Sequence, residues 1–133
     1  MIKLLVDSSV WINFLKDNIT QQSSFLEENI DRFEICTCPI IVHEVLQGIN
    51  SDYEFYPIKT YFDKLTLLND DPYDIAVQAA LLYRKLRKTG KTIRKANDCL
   101  IALYAIENSI MLLHNDKDFD FIATGSNLQI FNV

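Results

Sequence analysis

Four strand-length segments, separated by longer stretches of helical period, constrain this chain more than any other feature. Ile2 to Val6 is the first and stops at Asp7-Ser8-Ser9; Glu34 to Thr37, Ile110 to Leu113 and Leu128 to Phe131 follow. Apolar runs of four or five residues suit strands covered on both faces. Between them, Val10-Trp11-Ile12 and Phe14-Leu15 form a helical stripe, and Ser23 to Phe33 predicts a second helix. Pro39 stands at the first turn of a helix carrying Ile40, Ile41, Val42, Val45, Leu46 and Ile49. Tyr53 to Leu68 has a helix-like period, and Pro72 opens a helix that runs to Lys88 and stops at Thr89-Gly90. Asn97-Asp98 leads into Cys99–Ile106, which is apolar on every side as a buried helix must be. Strands alternating with helices imply an α/β sandwich around a mostly parallel sheet.

Length and composition narrow the class. The 133 residues fit one domain, 1–133, and 49% hydrophobic against 23% charged residues supply a core rather than a disordered chain. Three cysteines without framework spacing point to reduced thiols and a cytoplasmic location. Cys36 and Cys38 make only a C-x-C, and His43 and His114 complete no zinc pattern with them. The run Cys99–Ile106 is far too short to span a bilayer, and an acid at position 7 spoils any signal peptide, so no membrane partner is expected. Thirteen Lys and Arg against eighteen Asp and Glu leave −5, which argues against a general basic coat for nucleic acid.

The acids are more informative than their sum. In open parallel sheets functional groups collect beyond the carboxyl ends of the strands. Asp7 follows the first strand, and Asn115, Asp116 and Asp118 follow the third. Glu44 lies inside an apolar helix and Asp98 heads another. Each has a structural explanation alone: helix capping for Asp7, turn chemistry for Asp116, an exposed helix edge for Glu44, and the helix dipole for Asp98 with Asn97 as cap. Gly48 after Glu44 fits either a close backbone approach or a plain helix end. As a set, four converging carboxylates repel unless cations neutralise them, and a hard cation such as Mg²⁺ or Mn²⁺ suits an all-oxygen set.

Val6-Asp7-Ser8-Ser9-Val10-Trp11-Ile12, His43-Glu44-Val45-Leu46-Gln47-Gly48, Asn97-Asp98-Cys99-Leu100-Ile101-Ala102 and Leu113-His114-Asn115-Asp116-Lys117-Asp118-Phe119 together resemble the ordered motifs of a PIN domain. More narrowly they resemble VapC-type toxins, the ribonuclease half of toxin–antitoxin pairs. The resemblance runs from Ile2 to the C-terminus. It implies a three-layer α/β/α sandwich and a Mg²⁺- or Mn²⁺-dependent endoribonuclease. Asp7, Glu44, Asp98 and Asp116 match the family's acidic quartet. Asp7, Asp98 and Asp116 would be metal ligands, and Glu44 a ligand or an orienter of water. Asp118 would be a further ligand or a supporting group, and Ser8 or Ser9 the hydroxyl supporting the first acid. The family also implies a VapB-like antitoxin, a homodimer or a hetero-oligomer with that antitoxin, and a partner-facing role for helices after the second motif. Most of the aromatics there (Tyr53, Phe55, Tyr56, Tyr61 and Phe62) are otherwise expected in the core.

Metal-assisted attack of water on a phosphodiester would leave a 5′-phosphate and need no 2′-OH. Arg84, Lys85, Arg87, Lys88, Lys91, Arg94 and Lys95 place seven of the thirteen bases in one acid-free run leading to Asp98. It reads either as a solvated helix end or as a holder of RNA phosphates. The rival functions are a housekeeping PIN-domain RNA-processing nuclease and a nuclease-dead module that binds RNA or protein. A phosphate-receiving domain also groups acids at strand ends, but Lys117 is poorly placed for one.

Overall fold

The computed structural model describes residues 1–133. Strands β1 (Ile2–Val6), β2 (Phe33–Thr37), β3 (Thr66–Leu67) and β4 (Met111–Leu113) form one sheet in the order β3-β2-β1-β4. Every pairing is parallel, with Leu5 opposite both Cys36 and Leu112. Seven α-helices flank it: α1 (Ser8–Leu15), α2 (Gln21–Asn29), α3 (Pro39–Gln47), α4 (Asp52–Asp63), α5 (Pro72–Lys88), α6 (Ala96–Glu107) and α7 (Lys117–Thr124). Crossovers carry the chain from β1 outward to β3 and then back past β1 to β4, so the order reverses between β1 and β4. A crevice opens beyond the carboxyl ends of strands at such a reversal.

The apolar runs explain what is buried. Leu4, Leu5 and Val6 in the central strand are fully buried, as are Leu112 and Leu113 beside them. In α6, Cys99 and Ile101 to Ala105 are all buried, which accounts for a helix that is apolar all round. Helix α5 ends in a Schellman arrangement, where Lys91 N–H donates to Leu86 O (2.9 Å) and Gly90 N–H to Arg87 O (3.1 Å). Gly90 has φ +84°, a conformation that costs glycine nothing. Gly48 is the C-cap of α3 at φ −84°, so a plain helix end accounts for it.

Four expectations change. The second helix starts at Gln21 under a Thr20–Ser23 capping box and ends at Asn29, before a 3₁₀ turn over Ile30–Arg32. The Tyr53–Leu68 period breaks at Lys64, because Thr66-Leu67 pairs with Cys36-Thr37 at the sheet edge and Leu68 N–H donates to Thr37 O (2.8 Å). Leu128–Phe131 is one parallel bridge, Leu112 to Ile130, because the three-residue β4 offers it so little edge. Of the five aromatics, Phe62 alone joins the core, against Trp11 at 5.1 Å between ring centroids. Tyr53, Tyr56 and Tyr61 are exposed on α4, since a helix outside the sheet buries only one stripe.

No helix is long and apolar enough to cross a membrane.

Candidate active site

At the reversal, Asp7 N–H donates to Leu113 O (2.9 Å), so the ends of β1 and β4 are joined backbone to backbone. Asp7 is the N-cap of α1. Its Oδ2 accepts from Ser9 N–H (3.0 Å) and from Ser9 Oγ–H (2.6 Å). Ser9 Oγ in turn accepts from Asn115 N–H at 3.0 Å, so one hydroxyl fastens the first acid to the loop after β4. The other oxygen of Asp7, Oδ1, is buried without a protein partner. Capping and site-building are here two oxygens of one carboxylate.

Asp98 is in the first turn of α6, where the helix N-terminus favours an anion. It is 3% exposed, and its Oδ2 also has no partner. The expected cap at Asn97 is not made: Lys95 is the N-cap residue, without a side-chain bond. Asn97 sits two residues past the cap position, inside the helix, and its Nδ2 reaches Glu44 Oε2 instead (3.4 Å). Glu44, half-buried on α3, also accepts from Ser8 Oγ–H at 2.9 Å. Ser8 and Ser9 therefore serve different acids.

Asp116 caps α7, accepting from Asp118 N–H (3.0 Å). Lys95 Nζ lies 3.0 Å from its Oδ2, and Arg94 Nη2 lies 3.7 Å from its Oδ1. Asp118 is buried and accepts from Arg94 N–H (3.2 Å) and Nε–H (3.4 Å). Oxygens of Asp98, Asp116 and Asp118 all lie within 4.8 Å of one another. Asp7 and Glu44 border that group without entering it. Asp118, assigned above as a further ligand or a support, stands in the compact group beside Asp116.

Charge follows geometry. Burial raises the Asp7 carboxyl above its ordinary value against the two bonds from Ser9, and Glu44 adds to the rise. Asp98 is pushed up to about 7, first by burial and then by the fields of Asp7 and Asp116. For Asp116 burial pulls upward, but the Asp118 N–H, Lys95 and Arg94 together hold it below the usual carboxylate range. Lys95 is raised in return, chiefly by its hydrogen bond to Asp116.

Only the end of the basic run reaches the acids. Lys85, Arg87 and Lys88 complement the last turn of α5, and Arg87 lies 5.7 Å over the Tyr83 ring. Arg84 borders an apolar slot between α5 and α6, and Lys91 bonds to Thr124. Sequence reasoning missed α7 and the bonds of His114 to Asp116 and Asp120. Asp116 as cap, acids in the first turn, and Phe119 and Ile122 three residues apart were the available signals for the helix.

Such a set suits a hard divalent cation. Two buried carboxylate oxygens, Asp7 Oδ1 and Asp98 Oδ2, have no hydrogen-bond partner, and all the donors are oxygen. A compact acidic centre at the switch point of a parallel sheet defines a class of α/β protein, and family comparison specifies it. The PIN domain profile matches residues 4–124, and the chain belongs to the PIN-domain family. It is 35% identical over 131 residues to ribonuclease VapC11 of Mycobacterium tuberculosis, covering 95% of this chain and 96% of that one. VapC ribonuclease Mb1587 of Mycobacterium bovis gives the same figures. The fold also matches VapBC2 from Rickettsia felis, solved bound to a promoter DNA fragment, with TM-score 0.74, 18% identity and 99% of each chain covered. VapBC-1 from nontypeable Haemophilus influenzae matches with TM-score 0.74 and 19% identity over 98% of each chain.

Proposed function

We propose that this protein is a Mg²⁺- or Mn²⁺-dependent endoribonuclease, the toxin of a type II toxin–antitoxin pair. The observation that carries the reading is the pair of buried, unpartnered carboxylate oxygens on Asp7 and Asp98 at the switch point. Asp98, Asp116 and Asp118 would hold the ion, with Asp7 beside them. When bound, it supplies Lewis-acid polarisation of a phosphoryl oxygen and a water of lowered pKa. Glu44, steadied by Ser8 and Asn97, orients the attacking water and takes up its proton. Arg94 and Lys95 keep exposed side chains at the rim and hold the RNA phosphate there. Arg84, Lys85, Arg87, Lys88 and Lys91 extend that positive track along the strand.

The remaining assignments have their own support. One core runs from Leu4 to Leu128, consistent with a single PIN-like domain over 1–133. An apolar groove lined by Ile12, Leu15, Val45, Ile49 and Ile58 suits an apolar segment of a VapB-like antitoxin. Exposed Tyr73, Val77 and Leu81 on α5 suit a homodimer contact. Three free, buried cysteines accord with a reducing cytoplasm.

The test is cleavage of RNA with end mapping, in Mg²⁺, in Mn²⁺ and in EDTA. The expected result is metal-dependent cleavage leaving 5′-phosphate ends, lost in D7N. Cleavage in EDTA that leaves 2′,3′-cyclic ends, or a folded D7N as fast as wild type, overturns it.

A further inference from the structure

We infer that His114 is the positioning residue of the Asp116–Asp118 half of the centre, an inference that rests on the metal-dependent nuclease reading above. His114 directly follows β4 and is 8% exposed. Its Nδ1 accepts from Asp116 N–H at 3.0 Å. That bond needs the Nδ1 lone pair, so the ring proton sits on Nε2, which lies 3.2 Å from Asp120 Oδ1 and donates to it. The face of the ring packs on fully buried Phe119, with centroids 5.2 Å apart.

One imidazole is thus fixed by residues 116, 119 and 120, which are the cap and first turn of α7. The preceding residue, Leu113, is locked to Asp7 through its carbonyl oxygen. The ring therefore carries the register of the sheet into α7. It holds Asp116 in the extended N-cap conformation (φ −141°, ψ 118°) from which the carboxylate caps Asp118 N–H. Both acids belong to the group whose oxygens converge within 4.8 Å, so a small rotation of Asp116 would disperse the donors. A leucine could fill much of the space beside Phe119, but it offers no acceptor to Asp116. An asparagine does, since its carbonyl reaches the N–H two residues ahead in an Asx turn. Removing a group that orients metal ligands costs about 10–100-fold in metal affinity.

The experiment is a calorimetric Mn²⁺ titration of the full chain as wild type, H114L and H114N, with circular dichroism and melting curves to count folded protein. H114L is expected to bind Mn²⁺ about 10–100-fold more weakly per folded molecule, with H114N restored to within about threefold of wild type. A merely space-filling histidine would change the melting temperature and leave affinity alone. H114L within about threefold of wild type overturns the inference, and so does a folded H114N as weak as H114L. If H114L does not fold, D120A decides, because the Asp120 side chain is 63% exposed and its loss frees only the Nε2 end of the ring. Reduced Mn²⁺ affinity in D120A supports the inference, and unchanged affinity overturns it. Wild-type protein that binds no Mn²⁺ removes the nuclease reading itself, a different failure from that of His114.

Discussion

The two halves of the acidic centre are built on opposite plans. Asp116 and Asp118 stand at the head of α7 with Lys95 and Arg94 against them, and the protein supplies their positive charge. Asp7 and Asp98 are buried, but each keeps one oxygen with no partner. The first pair is stable as it stands. The second is expensive, because a buried carboxylate facing other carboxylates must take a proton or a cation. Sequence distance does not separate these plans: Lys95 and Asp98 are three residues apart on one helix start, yet one neutralises Asp116 and the other is left bare. On the proposed reading the bare half takes a cation in place of a proton, while the compensated half stays formed to receive it.

The sharpest way to break this contrast is D98N. Losing a bare acid should lower RNA cleavage by about 10³-fold, measured under single turnover, since a metal contributes several kcal/mol at the transition state. Activity within about tenfold of wild type would show that the bare half is not where the chemistry lies.

The second prediction concerns pH. The folded Asp98 carboxyl titrates at about 7 against 3.8 for the unperturbed group. Between those values the folded chain keeps a proton that the unfolded chain has lost, so stability falls as pH rises through the window. The full penalty, on the order of 4 kcal/mol, holds above about 7 and vanishes below about 4. Melting in EDTA should therefore be higher at acid than at neutral pH, with the slope largely lost in D98N. Mn²⁺ should raise the melting temperature more on the alkaline side, where no proton competes. A flat profile in wild type would contradict the burial of Asp98.

S9A probes the link between the halves. It removes the two Oγ bonds, to Asp7 Oδ2 and from Asn115 N–H, leaving Oδ2 with the Ser9 backbone N–H alone and Asn115 N–H without its acceptor. We expect a loss of about 1–3 kcal/mol in denaturant unfolding. Cleavage should fall alongside stability, whereas in D98N the two should move in opposite directions. The smallest effect belongs to the compensated half. K95M removes one exposed partner of Asp116, and such pairs contribute about 0–1 kcal/mol. Urea melts should barely move, while cleavage becomes less sensitive to added salt if Lys95 also meets the RNA phosphate.

The difference between the halves also marks what could be read from the chain. Asp7 and Asp116 were legible because strands ending in acids deliver them to one sheet edge, and α6 was legible because Cys99–Ile106 carries no charged residue. The rest depended on pairing across long sequence distances. Thr66-Leu67 is a strand only because β2 accepts it, and Leu128–Phe131 fails as one because β4 is too short. Helix α7 hides among charged turn residues, so Asp118 looked peripheral. Nothing in a run of seven bases marks Arg94 and Lys95 as the two that reach the acids, and nothing adjacent to His114 shows that its ring reaches Asp120 six residues on.

Thermal unfolding of wild type and D98N in EDTA and in Mn²⁺, slightly above neutral pH, tests the central claim most directly. If the bare half demands a cation, D98N melts higher than wild type in EDTA and gains little from Mn²⁺, while wild type gains strongly. Wild type that is indifferent to Mn²⁺, or D98N that is less stable in EDTA and still stabilised as much as wild type, contradicts it.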